Sequence, residues 1–143
     1  KKGRNYARDL NASIAFVEKR RTANDSKAKA LTLIGNVKDR DVLIVDDEVL
    51  TGGSIEQAVG VVKKNGARDV YLAFIHPIFS EDGAKRLAQL PIKHMITTDT
   101  VPISPKILKL LKGRLTVLSI APMLGEVIRR AHEGRSVGEM FNE

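Results

Sequence analysis

Residues 41–59 read DVLIVDDEVLTGGSIEQAV: a run of aliphatic side chains, two adjacent carboxylates, then Thr-Gly-Gly-Ser leading into a helical pattern. A helix start presents unpaired N–H groups and the positive end of the helix dipole, and glycines let an anion come close to them. Thr51, Gly52, Gly53 and Ser54 are therefore the right residue types to cradle one phosphate. Asp46 and Asp47 cannot help bind an anion, but carboxylates accept hydrogen bonds from sugar hydroxyls and hold hydrated divalent cations. Acids just ahead of a phosphate cradle describe a phosphorylated sugar lying along the loop. A second group, Glu18-Lys19-Arg20-Arg21, follows a β-rich run. Lys19 and Arg21 lie two apart, so on a strand both point to one side and could neutralise charge during phosphoryl transfer. On the residues alone, a solvated basic stretch is the simpler reading of this second group.

The loop at 46–54 has rivals. A capped helix preceded by polar turn residues accounts for Ser54 but not for two acids at a strand exit. A phosphoacceptor receiver domain also carries a strand ending in paired acids, but it needs a lone Asp after a later strand and a Lys after another. Here the run at 69–76 ends in His76-Pro77. The nucleotide fingerprints fail: there is no G-x-G-x-x-G, and no G-K-[ST] follows Gly53.

The elements that must position these residues alternate along the chain. Strands are predicted at 13–19, 41–47, 69–76, 93–98 and 115–120, nearly continuous in apolar residues, as in a parallel sheet covered on both faces. Between them lie helices with local start and stop signals. Ser54 with Gln57 reads as a capping box, with Gly66 as the stop. Ser80 precedes Glu81 and Asp82; SPKILKLLKG closes at Gly113; and APMLGEVIRRAHEG has Pro122 in its first turn and Gly134 at its end. This grammar implies an α/β fold, a parallel, five-stranded twisted sheet with helices on both faces. In such sheets ligands gather at the carboxyl ends of the strands, where the loop at 46–54 falls. Residues 20–33 read as the one long polar connection. KKGRNYARDL at the start reads as helix interior with no start signal, hence as a piece of a longer chain.

Composition bounds the rest. The 143 residues suit one domain with one core, and 24 Lys and Arg against 17 Asp and Glu give a net charge of +7. A basic surface favours anionic partners. Only 4% of residues are aromatic, too few for base-stacking platforms, so phosphate metabolites rank above nucleic acid. With no bilayer-length apolar run and no cysteine, the expectation is a cytoplasmic protein that touches no membrane.

VLIVDDEVLTGGSI resembles the sugar-phosphate loop of type I phosphoribosyltransferase folds. With FVEKRRTANDS ahead of it, and HMITTDTVP and APMLGEVIRRAHEGRSVGEMF behind, the chain is similar to the C-terminal half of the ribose-phosphate pyrophosphokinase family along nearly its whole length. The resemblance implies a single phosphoribosyltransferase-like domain over 1–143, the C-terminal half of a two-domain chain. It implies a reaction in which the 1-hydroxyl of ribose 5-phosphate attacks the β-phosphorus of ATP and AMP departs, with Mg2+. Carried over by position, Lys19 and Arg21 are the catalytic cations at the root of a loop that closes over ATP. Asp46 holds ribose hydroxyls directly or through Mg2+, Asp47 supports it, and Thr51, Gly52, Gly53 and Ser54 take the 5-phosphate.

Leu50 stands where the family often has Asp, and Asp99 where Asn is common. The resemblance also implies a homo-oligomer and a preceding N-terminal half that supplies most ATP contacts, so this chain by itself is expected to bind the sugar phosphate weakly and catalyse nothing. None of His76, His94 and His132 reads as a metal ligand. Two alternatives remain open: a phosphoribosyltransferase that joins a base to the sugar, and a non-catalytic phosphoribosyl-binding regulator. Lys19 and Arg21 weigh against both.

Overall fold

The computed structural model describes the backbone of residues 2–21 and 29–141, and the side chains of residues 3–18 and 31–141. In chain order the elements are α1 (Lys2–Asp9), β1 (Phe16–Arg21), β2 (Lys29–Ile34), β3 (Val42–Glu48), α2 (Gly53–Lys64), β4 (Val70–His76), α3 (Glu81–Gln89), β5 (His94–Thr98), α4 (Pro105–Leu110), β6 (Leu115–Leu118) and α5 (Ala121–Glu133). A short 3-10 turn at Gly138–Phe141 follows.

Four strands form a parallel sheet in the order β3-β4-β5-β6, so each crossover helix returns the chain to the neighbouring position. One row of the register runs Ile44, Leu72, Met95, Leu115. Side chains alternate across a strand, and in β4 this sends Val70, Leu72 and Phe74 into the core while Tyr71, Ala73 and Ile75 are half-buried. The core face is closed by Ile55, Val59 and Val62 of α2, Ala84 and Leu87 of α3, and Ile107 and Leu111 at α4. These recur at helical spacing, so each helix needs only one apolar stripe. Ser80 and Ser104 cap α3 and α4 by accepting the N–H of Gly83 and Ile107. The guanidinium of Arg114 donates to the carbonyls of Ala88, Leu90 and Ile92 at 2.7–2.9 Å, tying the end of α3 to the start of β6.

The predicted five-stranded sheet is corrected to four parallel strands among the described residues. The first predicted strand, 13–19, forms at Phe16–Arg21 and pairs antiparallel with β2, with Phe16 opposite Ile34 and Lys19 opposite Leu31. β2 falls inside the stretch read as a polar connection. Its KALTLI sequence is apolar and β-branched enough to form a strand, but it is short and follows a polar run. Helical cover on both faces is also corrected. On the face opposite the core, Leu43 and Ile96 are each 37% exposed, and α5 buries none of its residues.

Candidate sugar-phosphate site

β3 delivers its acids at the carboxyl end of the sheet. Asp46, half-buried and in register with Phe74, turns Oδ1 back to accept the Asp47 N–H at 2.9 Å. Asp47 and Glu48 are exposed, Glu48 in register with His76. Val49 then dives into the core, its N–H donating to the His76 carbonyl at 3.1 Å. Leu50 is half exposed to solvent.

The chain turns at Gly52, which has φ 71 and ψ 3, the left-handed region that a Cβ disfavours. This moves the helix start forward. The sequence reading placed Ser54 as the N-cap; the structure makes Gly52 the cap and puts Ser54 inside the first turn. Glycine has no side chain to offer, and no side chain caps α2. Its first N–H groups therefore stay available to an anion.

The loop is held from behind by α3. The Leu50 carbonyl accepts from the Ser80 N–H at 3.0 Å and from the Ser80 hydroxyl at 3.2 Å. The Thr51 carbonyl accepts from Nη1 of Arg86 at 2.7 Å, while Nε of Arg86 lies 3.2 Å from the Glu56 carboxylate. Gly83 allows the close approach, since a Cβ there would collide with the Leu50 carbonyl oxygen. Sequence reasoning saw Ser80 only as a helix cap and gave Arg86 no role.

Two of the histidines are taken up by threonines, His76 on this edge and His94 at the opposite, amino end of the sheet. Nδ1 of His76 lies 3.0 Å from Oγ1 of Thr100, and Nε2 of His94 lies 2.8 Å from Oγ1 of Thr116. Thr98 and Thr100 both donate to the Ile75 carbonyl, at 2.7 and 3.1 Å. Asp99 accepts the Ile120 N–H at 2.8 Å, a bond an Asn could also make. Hydrogen bonds from Ser119 and then Ile120 hold its carboxyl below the ordinary range. Among the described residues no group of three or more His, Asp or Glu side chains could hold a metal ion.

A cavity of about 870 Å³ lies between α1, the β1–β2 hairpin, β3 and α2, and it brings Asp46 and Ser54 onto one wall. Asp47, Thr51, Gly52 and Gly53 lie outside that wall. The cavity volume falls within the range of small-molecule sites. The backbone of Lys19 and Arg21 runs along β1, in register with Leu31 and Lys29, and their positions two apart place them on one face of the hairpin. Their side chains lie outside the described residues, as does the backbone of 22–28, part of the 20–33 connection that follows them.

Comparison with known proteins gives this geometry a family. Residues 3–142 match the family described as phosphoribosyl synthetase-associated domain. The chain belongs to the phosphoribosyl synthetase-associated domain family. Relatives of this synthetase-associated domain include the ribose-phosphate pyrophosphokinase of Caldanaerobacter subterraneus subsp. tengcongensis, 36% identical over 140 residues that span 98% of this chain and 43% of the relative. The ribose-phosphate pyrophosphokinase of Nostoc sp. is 38% identical over 141 residues, 98% of this chain and 42% of that protein. The crystal structure of phosphoribosylpyrophosphate synthetase from Mycobacterium smegmatis superposes with a TM-score of 0.79 at 34% identity, covering 91% of this chain and 40% of that one. The chain thus spans less than half the length of the curated relatives it matches.

Proposed function

We propose that this chain is the sugar-phosphate-binding half of a ribose-phosphate diphosphokinase, which transfers a diphosphate group from ATP to the 1-hydroxyl of ribose 5-phosphate, giving phosphoribosyl pyrophosphate and AMP for nucleotide biosynthesis. The observation that carries the reading is the uncapped start of α2 behind Gly52, with Asp46 at the exit of the strand that leads to it. The 5-phosphate of the sugar sits on the amides of Thr51, Gly52, Gly53 and Ser54, with the hydroxyls of Thr51 and Ser54 as further donors. Asp46 accepts from ribose hydroxyls, and Asp47 supports it. The relatives' names supply the reaction class; the loop supplies the chemistry that suits it.

Lys19 and Arg21 are the cations that steady the transferring group. Removing one such donor costs about 3–4 kcal/mol of transition-state stabilisation at sites of this kind. The carboxylates fit Mg2+ in a limited way. No all-protein cage exists among the described residues, which suits a cation that keeps its waters and takes one or two carboxylates plus substrate phosphates. Asp46, with Asp47 beside it, would hold it through water, and it would supply charge neutralisation on the phosphate oxygens.

The rest of the ATP site belongs to a preceding half of the same polypeptide in a cytoplasmic homo-oligomer, so this chain alone is inactive. No helix among the described residues is long and apolar enough to cross a membrane.

The test is to give the family-length protein containing this chain ATP, Mg2+ and ribose 5-phosphate. AMP should appear in step with phosphoribosyl pyrophosphate. Release of pyrophosphate from phosphoribosyl pyrophosphate plus a base would replace this reading with a base-joining transferase. Sugar-phosphate binding with no turnover of either kind would replace it with a non-catalytic regulator.

A further inference from the structure

Three consecutive peptide groups under the proposed cradle have their carbonyls fastened, two from α3 and its cap and one from within α2. The Leu50 carbonyl is held by the N–H and the hydroxyl of Ser80, the Thr51 carbonyl by Nη1 of Arg86, and the Gly52 carbonyl by the N–H of Glu56 at 2.9 Å. In a trans peptide the C=O of one residue and the N–H of the next point in opposite directions, and among the described residues no peptide is cis. Fixing those carbonyls therefore fixes where the following N–H groups point: those of Thr51 and Gly52 away from α3, and that of Gly53 out of the N-terminal end of α2. Among the described residues none of these three amides donates a hydrogen bond to the protein.

The three fastenings are unequal. The Glu56 bond belongs to α2 and forms with any helix start, and Ser80 is already placed by its role as the cap of α3. Arg86 has no such second reason. It lies in the last turn of α3, its side chain is 40% exposed, and it reaches across to Thr51 and Glu56. The exposed ion pair with Glu56 contributes little by itself. Its geometric effect is to hold the guanidinium against the back of the loop, where Nη1 lies 3.7 Å from the point a Gly53 Cβ would occupy. The Thr51–Gly52 peptide borders a glycine and so rotates more freely than Leu50–Thr51, while Gly52–Gly53 is tied into the first turn of α2 through Glu56.

We infer that Arg86 is a positioning residue for the sugar-phosphate site: by gripping the Thr51 carbonyl from behind, it aims the Gly52 N–H at the bound phosphate. The inference rests on the function proposed above. Without the grip the Thr51–Gly52 peptide samples both orientations, and only one presents the donor. Apparent affinity falls in proportion to the competent fraction. Arg86 does not touch the phosphate, so the loss should be specific to ligands that carry one.

The test compares the unsubstituted chain with Arg86→Met and Arg86→Lys, by backbone amide NMR. Without ligand, the orientation of the Gly52 N–H, read from residual dipolar couplings, should change in Arg86→Met and be partly restored in Arg86→Lys, while Leu72 and Met95 in the core keep their shifts. With ribose 5-phosphate, Arg86→Met should bind about tenfold more weakly, Arg86→Lys should recover part of the loss, and saturation with ribose lacking the phosphate should be unchanged. An Arg86→Met protein whose Gly52 coupling and ribose 5-phosphate affinity both match the unsubstituted chain overturns the inference. If ribose 5-phosphate leaves the unsubstituted loop unmoved, the sugar-phosphate reading is what falls; the ligand-free coupling still decides whether Arg86 holds the peptide.

Discussion

Gly52→Ala is the substitution that most directly strains the loop. Gly52 sits at φ 71 with its Cα buried, so the new methyl group pays the left-handed penalty of about 1–2 kcal/mol. Sterics add little. The methyl would meet the Gly83 carbonyl oxygen and Cγ of Leu87 at 3.5 Å and Cδ of Arg86 at 3.8 Å, all ordinary contacts. The backbone cost therefore decides the size of the effect, and for a chain of this length it corresponds to a fall in melting temperature of about 2–8 °C. Asn tolerates the left-handed region better than Ala, so Gly52→Asn should lose less. Binding should suffer alongside stability, because a residue 52 relaxed to negative φ no longer starts α2 behind the loop. Thermal unfolding by calorimetry and titration with ribose 5-phosphate check both halves. A Gly52→Ala protein that melts within about 1 °C of the original and binds the sugar phosphate equally well refutes the reasoning.

Three other perturbations test the frame behind the site. Leu87→Ala removes a fully buried side chain that packs beneath Gly52; it should cost about 2–5 kcal/mol in denaturant unfolding and loosen the loop. Arg114→Ala strips the carbonyls of Ala88, Leu90 and Ile92 of a shared donor, with an expected loss of about 1–3 kcal/mol; equal urea midpoints would count against that clasp. Asp99 titrates below its ordinary 3.8 because of Ser119 and Ile120, so its contribution is present above that value and is lost as pH falls through the lower folded one. Asp41, Glu81 and Glu126 are depressed in the same direction by Arg68, Lys106 and Arg130. Melting temperature should thus fall below about pH 4, and less steeply in Asp99→Asn, which keeps an acceptor for Ile120.

The helices α2 to α5 were legible because their signals are local. Ser80 opens α3 where it was read, and Pro122 and Gly134 bracket α5. The strand exits at Asp46 and His76 were legible for the same reason, as continuous aliphatic runs that end in polar residues. What failed depended on partners distant in sequence. Nothing near residues 29–34 announces an antiparallel partner at 16–21, so the stretch read as connection and β1 was assigned to the wrong sheet. Ser54 looked like a cap because Ser usually is one; the left-handed Gly52 took that place through backbone freedom, which residue types only hint at. The grip of Ser80 and Arg86 on residues 50 and 51 spans 30 and 35 positions and left no mark in the local pattern.

The loop itself decides the central claim. Amide spectra of the chain recorded during addition of ribose 5-phosphate, with unphosphorylated ribose as the comparison, should show Thr51, Gly52, Gly53 and Ser54 moving together with the ester. The ribose should leave these four in place and perturb only Asp46 and its neighbours. If the ester moves none of the four amides, the cradle does not hold a phosphate and the proposed reaction loses its footing in this chain.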